Sequence, residues 1–185
     1  MSNRPQDFPV MTNGNQTKTM ANTGAQSAIG PLPRWTSVFV TTGDYRAFNW
    51  MLANDDAIGS YRVHYRDEET GRPLSILDHP YVTIANYSYA SNASNPNIRR
   101  DLLPPCSSDC NSPYSFDIAH HPSTGYVPYL MTGDYYYLEE MQFIASYVEL
   151  WANQRYRNLD EGKLLGAQSQ VRGQAWSMRS IADAA

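Results

Sequence analysis

The clearest pattern in the chain is a run of apolar residues at helical spacing in its second half. They recur every three or four positions, at Leu138, Met141, Ala145, Val148 and Ala152, which puts them on one face of an α-helix. The preceding Thr132-Gly133-Asp134 supplies capping side chains, and Glu139 and Glu140 suit the positive end of a helix. The pattern therefore predicts a helix that begins close to Gly133.

The same arrangement occurs earlier in the chain, where a Thr-Gly-Asp-Tyr sequence at 42–45 precedes another apolar series. Asp134 and Asp44 differ by 90 positions (134 − 44), and the same offset aligns four further apolar pairs: Phe39 with Tyr129, Val40 with Leu130, Phe48 with Leu138, and Met51 with Met141. We interpret this as one unit, a corner followed by an amphipathic helix, that is used twice. Repeated helical units usually stack to bury a shared core.

Three further helices are predicted around these corners. A short helix over 35–40 leads into the first corner, and a helix from Tyr45 to about Ala57 follows it. A final helix is predicted at the end of the chain, where apolar residues return at helical spacing: Val171, Ala175, Met178, Ala182 and Ala185. We expect this helix and the long helix after Gly133 to form an antiparallel pair.

The segment between the two units has a different pattern of apolar and polar residues. Two short alternating runs, at 61–66 and 73–77, flank a polar turn that contains Gly71, which predicts a β-hairpin. The residues from 78 to 116 are rich in Asn and Ser and contain five prolines, Pro80, Pro96, Pro104, Pro105 and Pro113. Regular structure should be scarce there, so residues 58–116 are predicted to form a long loop insertion.

Length and composition are those of one ordinary domain. The chain has 185 residues, of which 42% are hydrophobic, enough for a single core that we place at 29–185, after a polar, extended lead-in at 1–28. The net charge of −4 gives no basic field for a nucleic acid. No apolar run approaches the roughly 20 residues of a membrane helix. A cytoplasmic location is expected, or a periplasmic or secreted one if a leader has been removed.

Two cysteines, Cys106 and Cys110, lie in a loop rich in Pro and Ser. They can form a small disulfide ring in an oxidising compartment or remain two reduced thiols on a surface loop. The spacing partners of a zinc site are missing. Both of the first two alternatives stay open at this point.

Three segments of the sequence, HHPSTGYVPYLM, TGDYYYLEEMQF and RGQAWSMRSIADAA, resemble parts of the α/α-toroid (six-hairpin) polysaccharide lyases and glycosidases. In that superfamily, helical hairpins start from Thr-Gly-Asp corners, and inner helices carry motifs similar to Arg-Gly-Gln-Ala-Trp. The likeness covers about 24–57 and 117–185. It implies a mainly α fold of antiparallel helical hairpins in an incomplete α/α toroid, with a small β-hairpin and long irregular loops. The last helix ends without a stop signal, so we expect a fragment of a larger toroid.

The resemblance also implies a chemistry. Toroid lyases abstract a proton beside a uronate carboxylate, with a Tyr or His as base and polar side chains that neutralise the acid group. The matching candidates here are His120, His121 and Tyr126 for catalysis, and Arg172, Trp176 and Asp117 for substrate binding. Neighbouring residues of an extended chain point to opposite sides, so at most one of the two histidines should face a substrate.

Other interpretations of the same residues stay open. A glycoside hydrolase would need two carboxylates, for which Asp117, Glu139 and Glu140 are available, although the helix dipole already explains the two glutamates. A non-catalytic scaffold or glycan-binding module is a further alternative. The 14 tyrosines and 4 tryptophans favour a polysaccharide or oligosaccharide as partner. We expect no cofactor and no metal, because adjacent histidines rarely bind one ion together. His64 is expected to be an exposed strand residue.

Overall fold

The computed structural model describes residues 8–9, 12–16, 26–84, 101–103, 118–151, 154, 157–162 and 171–185. Within these ranges the chain is mainly helical, as predicted. The α-helices are α1 (Arg34–Thr42), α2 (Tyr45–Asp56), α3 (Tyr126–Thr132), α4 (Tyr135–Trp151) and α5 (Val171–Ala184). Short 3-10 helices cover Ala57–Ser60 and Leu159–Glu161. Two helices begin immediately after the Thr-Gly-Asp corners.

The strands lie elsewhere than predicted. Val82–Ile84 (β1) and Asp101–Leu103 (β2) pair in parallel, inside the segment predicted to be irregular. The predicted β-hairpin of 61–66 and 73–77 is wrong, because that segment has a single antiparallel bridge between Arg66 and Pro73. Proline has no backbone donor, which limits a ladder at that position. The β-branched run Val82-Thr83-Ile84 carried the better strand signal.

The two corners have the same backbone geometry. The helix before each corner, α1 or α3, ends at a glycine in the left-handed region, Gly43 with φ 63° and Gly133 with φ 67°. The amide of each glycine donates to the carbonyl oxygen four residues earlier, that of Phe39 or Tyr129, at 2.8 Å in both cases. A glycine at this position ends a helix without the steric cost that a Cβ would bring.

The capping side chains of the two corners also match. Thr42 and Thr132 each accept a hydrogen bond from the amide of the following Asp, at 3.2 and 3.1 Å. Asp44 in turn accepts from the amide of Arg46 at 2.8 Å, and Asp134 accepts from that of Tyr136 at 3.0 Å. These bonds satisfy amide groups that have no partner within the helix that begins there. The offset of 90 residues therefore relates two copies of one local structure.

Helix α4 is the centre of the larger core. It contacts α3, α5 and β1, and its buried side chains lie on more than one face, so the predicted single stripe is only part of its packing surface. The side chains packed together in this core are Ile58, Tyr61, Val63, Ile76, Val82, Ile84, Ile118, Phe143, Ile144, Tyr147, Val148, Leu150 and Trp151. A smaller cluster of Ala28, Trp35 and Met51 joins α1 to α2.

Helix α5 packs on α4 through a different face from the one its sequence pattern suggests. Its buried residues are the small Gly173, Ser177 and Ser180, which allow a neighbouring helix to approach closely. The apolar series faces solvent instead, with Val171 86% and Met178 66% exposed. The pairing of α4 and α5 is confirmed as a contact. Their antiparallel arrangement and the toroid stay predictions.

Some predictions fall outside the described residues. Most of the lead-in at 1–28, both cysteines and Asp117 lie there, as does most of the connection between α4 and α5. In the part of the chain that the structure describes, no helix combines the length and the apolar character needed to cross a membrane.

Candidate functional site

The two repeated units meet at a polar junction between the end of α2 and the beginnings of α3 and α4. We call Asp55, Asp56, Gly125, Tyr136 and Tyr137 the junction. Asp55 Oδ1 accepts a hydrogen bond of 2.6 Å from the amide of Gly125, just before α3. Gly125 has φ 82°, and a Cβ there would lie 2.8 Å from the carbonyl oxygen of Tyr137. The junction therefore requires glycine at this position.

Two tyrosines of the first turn of α4 complete the junction. The Tyr136 hydroxyl donates to the carbonyl oxygen of Asp56 at 2.9 Å and accepts from the amide of Gly59 at 3.0 Å. The Tyr137 hydroxyl donates to Asp56 Oδ1 at 2.7 Å. Burial raises the pKa of both tyrosines, and nearby carboxylates raise it further. Both hydroxyls therefore stay protonated near neutral pH and serve as hydrogen-bonding groups rather than as bases.

Asp55 is the most perturbed acid of the junction. Its side chain is fully buried, and burial raises its pKa to about 8, although the Gly125 amide acts in the opposite direction. The charge of Asp56 raises the pKa of Asp55 further, and the neighbouring Trp35 side chain lowers it. Buried acids of this kind are often kept neutral, because a buried charge without a partner is costly.

A second polar contact joins α4 to the segment after the 3-10 helix at 57–60. His64 Nε2 lies 2.7 Å from Glu140 Oε2, and its Nδ1 lies 2.8 Å from the carbonyl oxygen of Tyr61. The Glu140 side chain is only 6% exposed and that of His64 is 28% exposed. The expectation that His64 is an exposed strand residue is therefore wrong: it is half-buried and paired with an acid.

His121 is held inside the loop that precedes α3. Its Nδ1 lies 2.9 Å from the carbonyl oxygen of Ile118, and its Nε2 lies 2.8 Å from Ser180 Oγ of α5. The side chain is fully buried. Burial lowers its pKa to about 3, and the charge of Arg179 acts in the same direction. His121 is thus a neutral residue that fastens the loop to α5 in this structure.

The same loop is held at two further points. Ser123 Oγ donates to Asp183 Oδ2 at 2.7 Å, and Arg179 Nη2 donates to the carbonyl oxygen of His121 at 3.0 Å. Arg179 also lies over the ring of Trp176, 4.9 Å from its centroid. The loop from 118 to 125 is consequently fixed between α5 on one side and Asp55 on the other.

The structure brings some of the predicted site residues together and separates others. His121 and Trp176 both contact Arg179. His120 is half-buried, and Tyr126 is 37% exposed at the start of α3. Arg172 lies eight residues before Ser180, which is about 12 Å along the axis of α5. The catalytic and binding roles of these residues stay predictions, and Asp117 lies outside the described residues.

Sequence reasoning missed the His64–Glu140 pair and Asp55. His64 and Glu140 are 76 positions apart, so no local pattern in the sequence predicts their contact. From the sequence, Asp55 is expected at the frayed end of a helix. Only the packing of Gly125 against it shows that it is buried. The repeated corner is the one local signal that led to the junction.

The acidic and histidine side chains of the site do not form a metal centre. Among the described residues, no group of three or more His, Cys, Asp or Glu side chains is arranged to hold a metal ion.

No protein-family model matches the sequence, and neither the curated proteins nor the solved structures include a match.

The protonation state of Asp55 predicts how the free energy of unfolding depends on pH. The pKa of about 8 in the folded protein lies above the ordinary value of 3.8, so the folded state binds this proton more tightly and loses stability as the pH rises from about 4 to 8. Asp55→Asn removes the titration. Between about pH 5 and pH 8 the free energy of unfolding of the variant should fall less than that of the parent protein, by roughly a few kcal/mol.

Chemical denaturation at the two pH values measures this difference. What is compared is the change in unfolding free energy between the two pH values, so any stability that the Asn substitution costs equally at both pH values cancels. Titrations elsewhere in the chain are common to both proteins. The same fall in both proteins would show that Asp55 is not a buried neutral acid.

Proposed function

We propose that this chain is a helical unit of a carbohydrate-active protein, and that it holds a polysaccharide against tyrosines of its two corners. One observation carries the proposal: Tyr45 and Tyr135, which follow the equivalent Asp caps, are 73% and 64% exposed. The apolar face of a sugar ring stacks on an aromatic ring of this kind. Aromatic rings with a polar end are also suited to surfaces that are half apolar and half wet.

The packing of the repeats supports this use of the tyrosines. The second unit has neighbours on α2 and α5, yet Tyr135 and Leu130 of α3 stay exposed. Their counterparts Tyr45 and Val40 are exposed as well. The stacking of the units within the chain therefore leaves these side chains uncovered in both copies, which favours a ligand as their contact.

The geometry of α2 sets the approximate distance between the two tyrosines. The helix has 12 residues and begins at Tyr45, while its other end meets Tyr136 and Tyr137. With a rise of 1.5 Å per residue, the two corners are separated by on the order of 15 Å. Such a distance suits an extended chain of several sugar units better than a single sugar.

Removing either ring should weaken glycan binding. Tyr45→Ala and Tyr135→Ala should each raise the Kd for a bound polysaccharide by roughly fivefold, which corresponds to about 1 kcal/mol of stacking. Tyr45→Phe and Tyr135→Phe keep the ring and should bind nearly as well as the parent. Affinity electrophoresis in gels that contain single polysaccharides measures the retention.

A control variant separates stacking from general surface effects. Leu77→Ala changes a side chain that is 71% exposed in another part of the chain, so its retention should equal that of the parent. Retention that is unchanged in both Tyr→Ala variants, or absent for every polysaccharide in the panel, would reject the binding proposal.

β-Elimination from a uronate-containing glycan is a second candidate function. The observation in its favour is that Tyr126 immediately follows the fixed loop and is 37% exposed, while His120 lies within the loop and is half-buried, with its Nε2 in the interior. His121 is the less suitable base, because both of its ring nitrogens are already hydrogen-bonded in the interior. A rigid loop is the kind of support that a catalytic side chain requires.

A panel of uronate polysaccharides tests this chemistry. Elimination leaves an unsaturated product that absorbs in the ultraviolet, and the absorbance should rise with the parent protein and stay flat with His120→Ala or Tyr126→Phe. A flat trace for the parent across the panel would reject the lyase candidate while leaving glycan binding by the tyrosines intact.

A further inference from the structure

Residues 61–79 form an excursion between the 3-10 helix at 57–60 and β1, and they lie against α4. The tip is a polar turn in which the amide of Asp67 donates to the carbonyl oxygen of Arg72 at 2.8 Å. His79 Nε2 lies 2.7 Å from Asp67 Oδ2 and closes the excursion on itself. We call residues 61–79 the excursion.

Two ionic contacts join the excursion to consecutive glutamates of α4. His64 lies 2.7 Å from Glu140, and Arg66 Nη1 lies 3.1 Å from Glu139 Oε1. The guanidinium of Arg66 also lies over the ring of Phe143, 4.7 Å from its centroid, and the His64 ring meets the same ring edge-on. His64 and Arg66 thus share one short stretch of α4.

We propose that the excursion is a proton-dependent clamp, fastened to α4 while His64 carries two ring protons and loosened when His64 becomes neutral. This regulation goes beyond the glycan-binding proposal and does not depend on it.

The geometry of His64 requires the charged ring. Its Nδ1 faces the carbonyl oxygen of Tyr61 and its Nε2 faces the carboxylate of Glu140. A carbonyl oxygen and a carboxylate can only accept, so both nitrogens must donate, and only the imidazolium has two N–H groups. A neutral ring gives up one bond and leaves the nearly buried Glu140 without its cation, which is costly.

The groups around His64 set the direction of the effect. Burial of the ring lowers the pKa of His64, and the charge of Arg66 acts the same way, but the hydrogen bond and the charge of Glu140 outweigh them and raise the pKa above its ordinary value of 6.5. The contact therefore contributes its full stability below about pH 6.5 and loses it as the pH rises through the higher folded-state value.

Other contacts confine the change to a local loosening. Tyr65 stacks on Tyr147 with an interplanar angle of 9°, and Ser146 Oγ donates to the carbonyl oxygen of Leu74 at 2.6 Å. Burial raises the pKa of Tyr65 above its ordinary value of 10, and the Ser146–Leu74 bond involves no titratable group. On the other side of the pair, the charge of Glu140 acts on Tyr136, whose hydroxyl holds Gly59 and Asp56.

Amide hydrogen exchange of the whole chain tests the clamp. Protection factors of residues 61–66 are corrected for the intrinsic pH dependence of exchange and divided by those of α5 amides, which removes the change in global stability that Asp55 causes. This ratio should fall roughly three- to tenfold between pH 6 and pH 8.5, because the neutral ring gives up one hydrogen bond. Glu140→Gln and His64→Gln should both abolish this dependence, because neither variant can form the charged pair.

Glu139→Gln is the matched control, since it removes the neighbouring ion pair with Arg66 and leaves the His64–Glu140 contact in place. It should lower protection of the excursion equally at both pH values and leave their ratio unchanged. Protection in the parent protein that does not change with pH would overturn the clamp, as would a dependence that persists in both Glu140→Gln and His64→Gln. Should one variant fail to fold, the other and the parent still decide the question.

Discussion

The structure depends on one constraint: the end of α2 must lie against the beginnings of α3 and α4 without a side chain between them. Gly125 makes this approach possible, because any Cβ would meet the backbone of α4. Its amide then finds an acceptor in Asp55, and the hydroxyls of Tyr136 and Tyr137 find acceptors on Asp56. Burying these polar groups is tolerable because nearly all of them are paired with one another.

The contact between Gly125 and Asp55 also fixes the position of the loop from 118 to 125. One end is fixed at Gly125, and His121 and Ser123 fix the rest to α5. A neutral His121 and a neutral Asp55 both suit a dry interior better than charged forms would. Residues at the edges of the loop, such as Tyr126, reach the surface from a rigid base. The exposed corner tyrosines lie on equally rigid, capped turns.

The parts of the fold that local physics decides could be predicted from the sequence. The helices after Gly43 and Gly133 follow from caps and helical spacing within a few residues, and the offset of 90 residues revealed that they are copies. The parallel pairing of β1 with β2 brings together segments separated by 16 residues (85–100) rich in Asn and Ser, which no local pattern encodes. The outward apolar face of α5 and the His64–Glu140 pair are likewise results of packing. The candidate catalytic and binding residues were chosen by residue type alone and their roles stay predictions, whereas Asp55 and the His64–Glu140 pair were missed.

The two repeated units pack through the polar junction. A double-mutant cycle between Asp56→Ala and Tyr137→Phe measures it most directly, because the Tyr137 hydroxyl donates to Asp56 Oδ1 across the two units at 2.7 Å. A coupling energy of about 1–2 kcal/mol in the free energy of unfolding is predicted, as for residues in direct contact. Additive effects of the two substitutions, with coupling near zero, would contradict the claim.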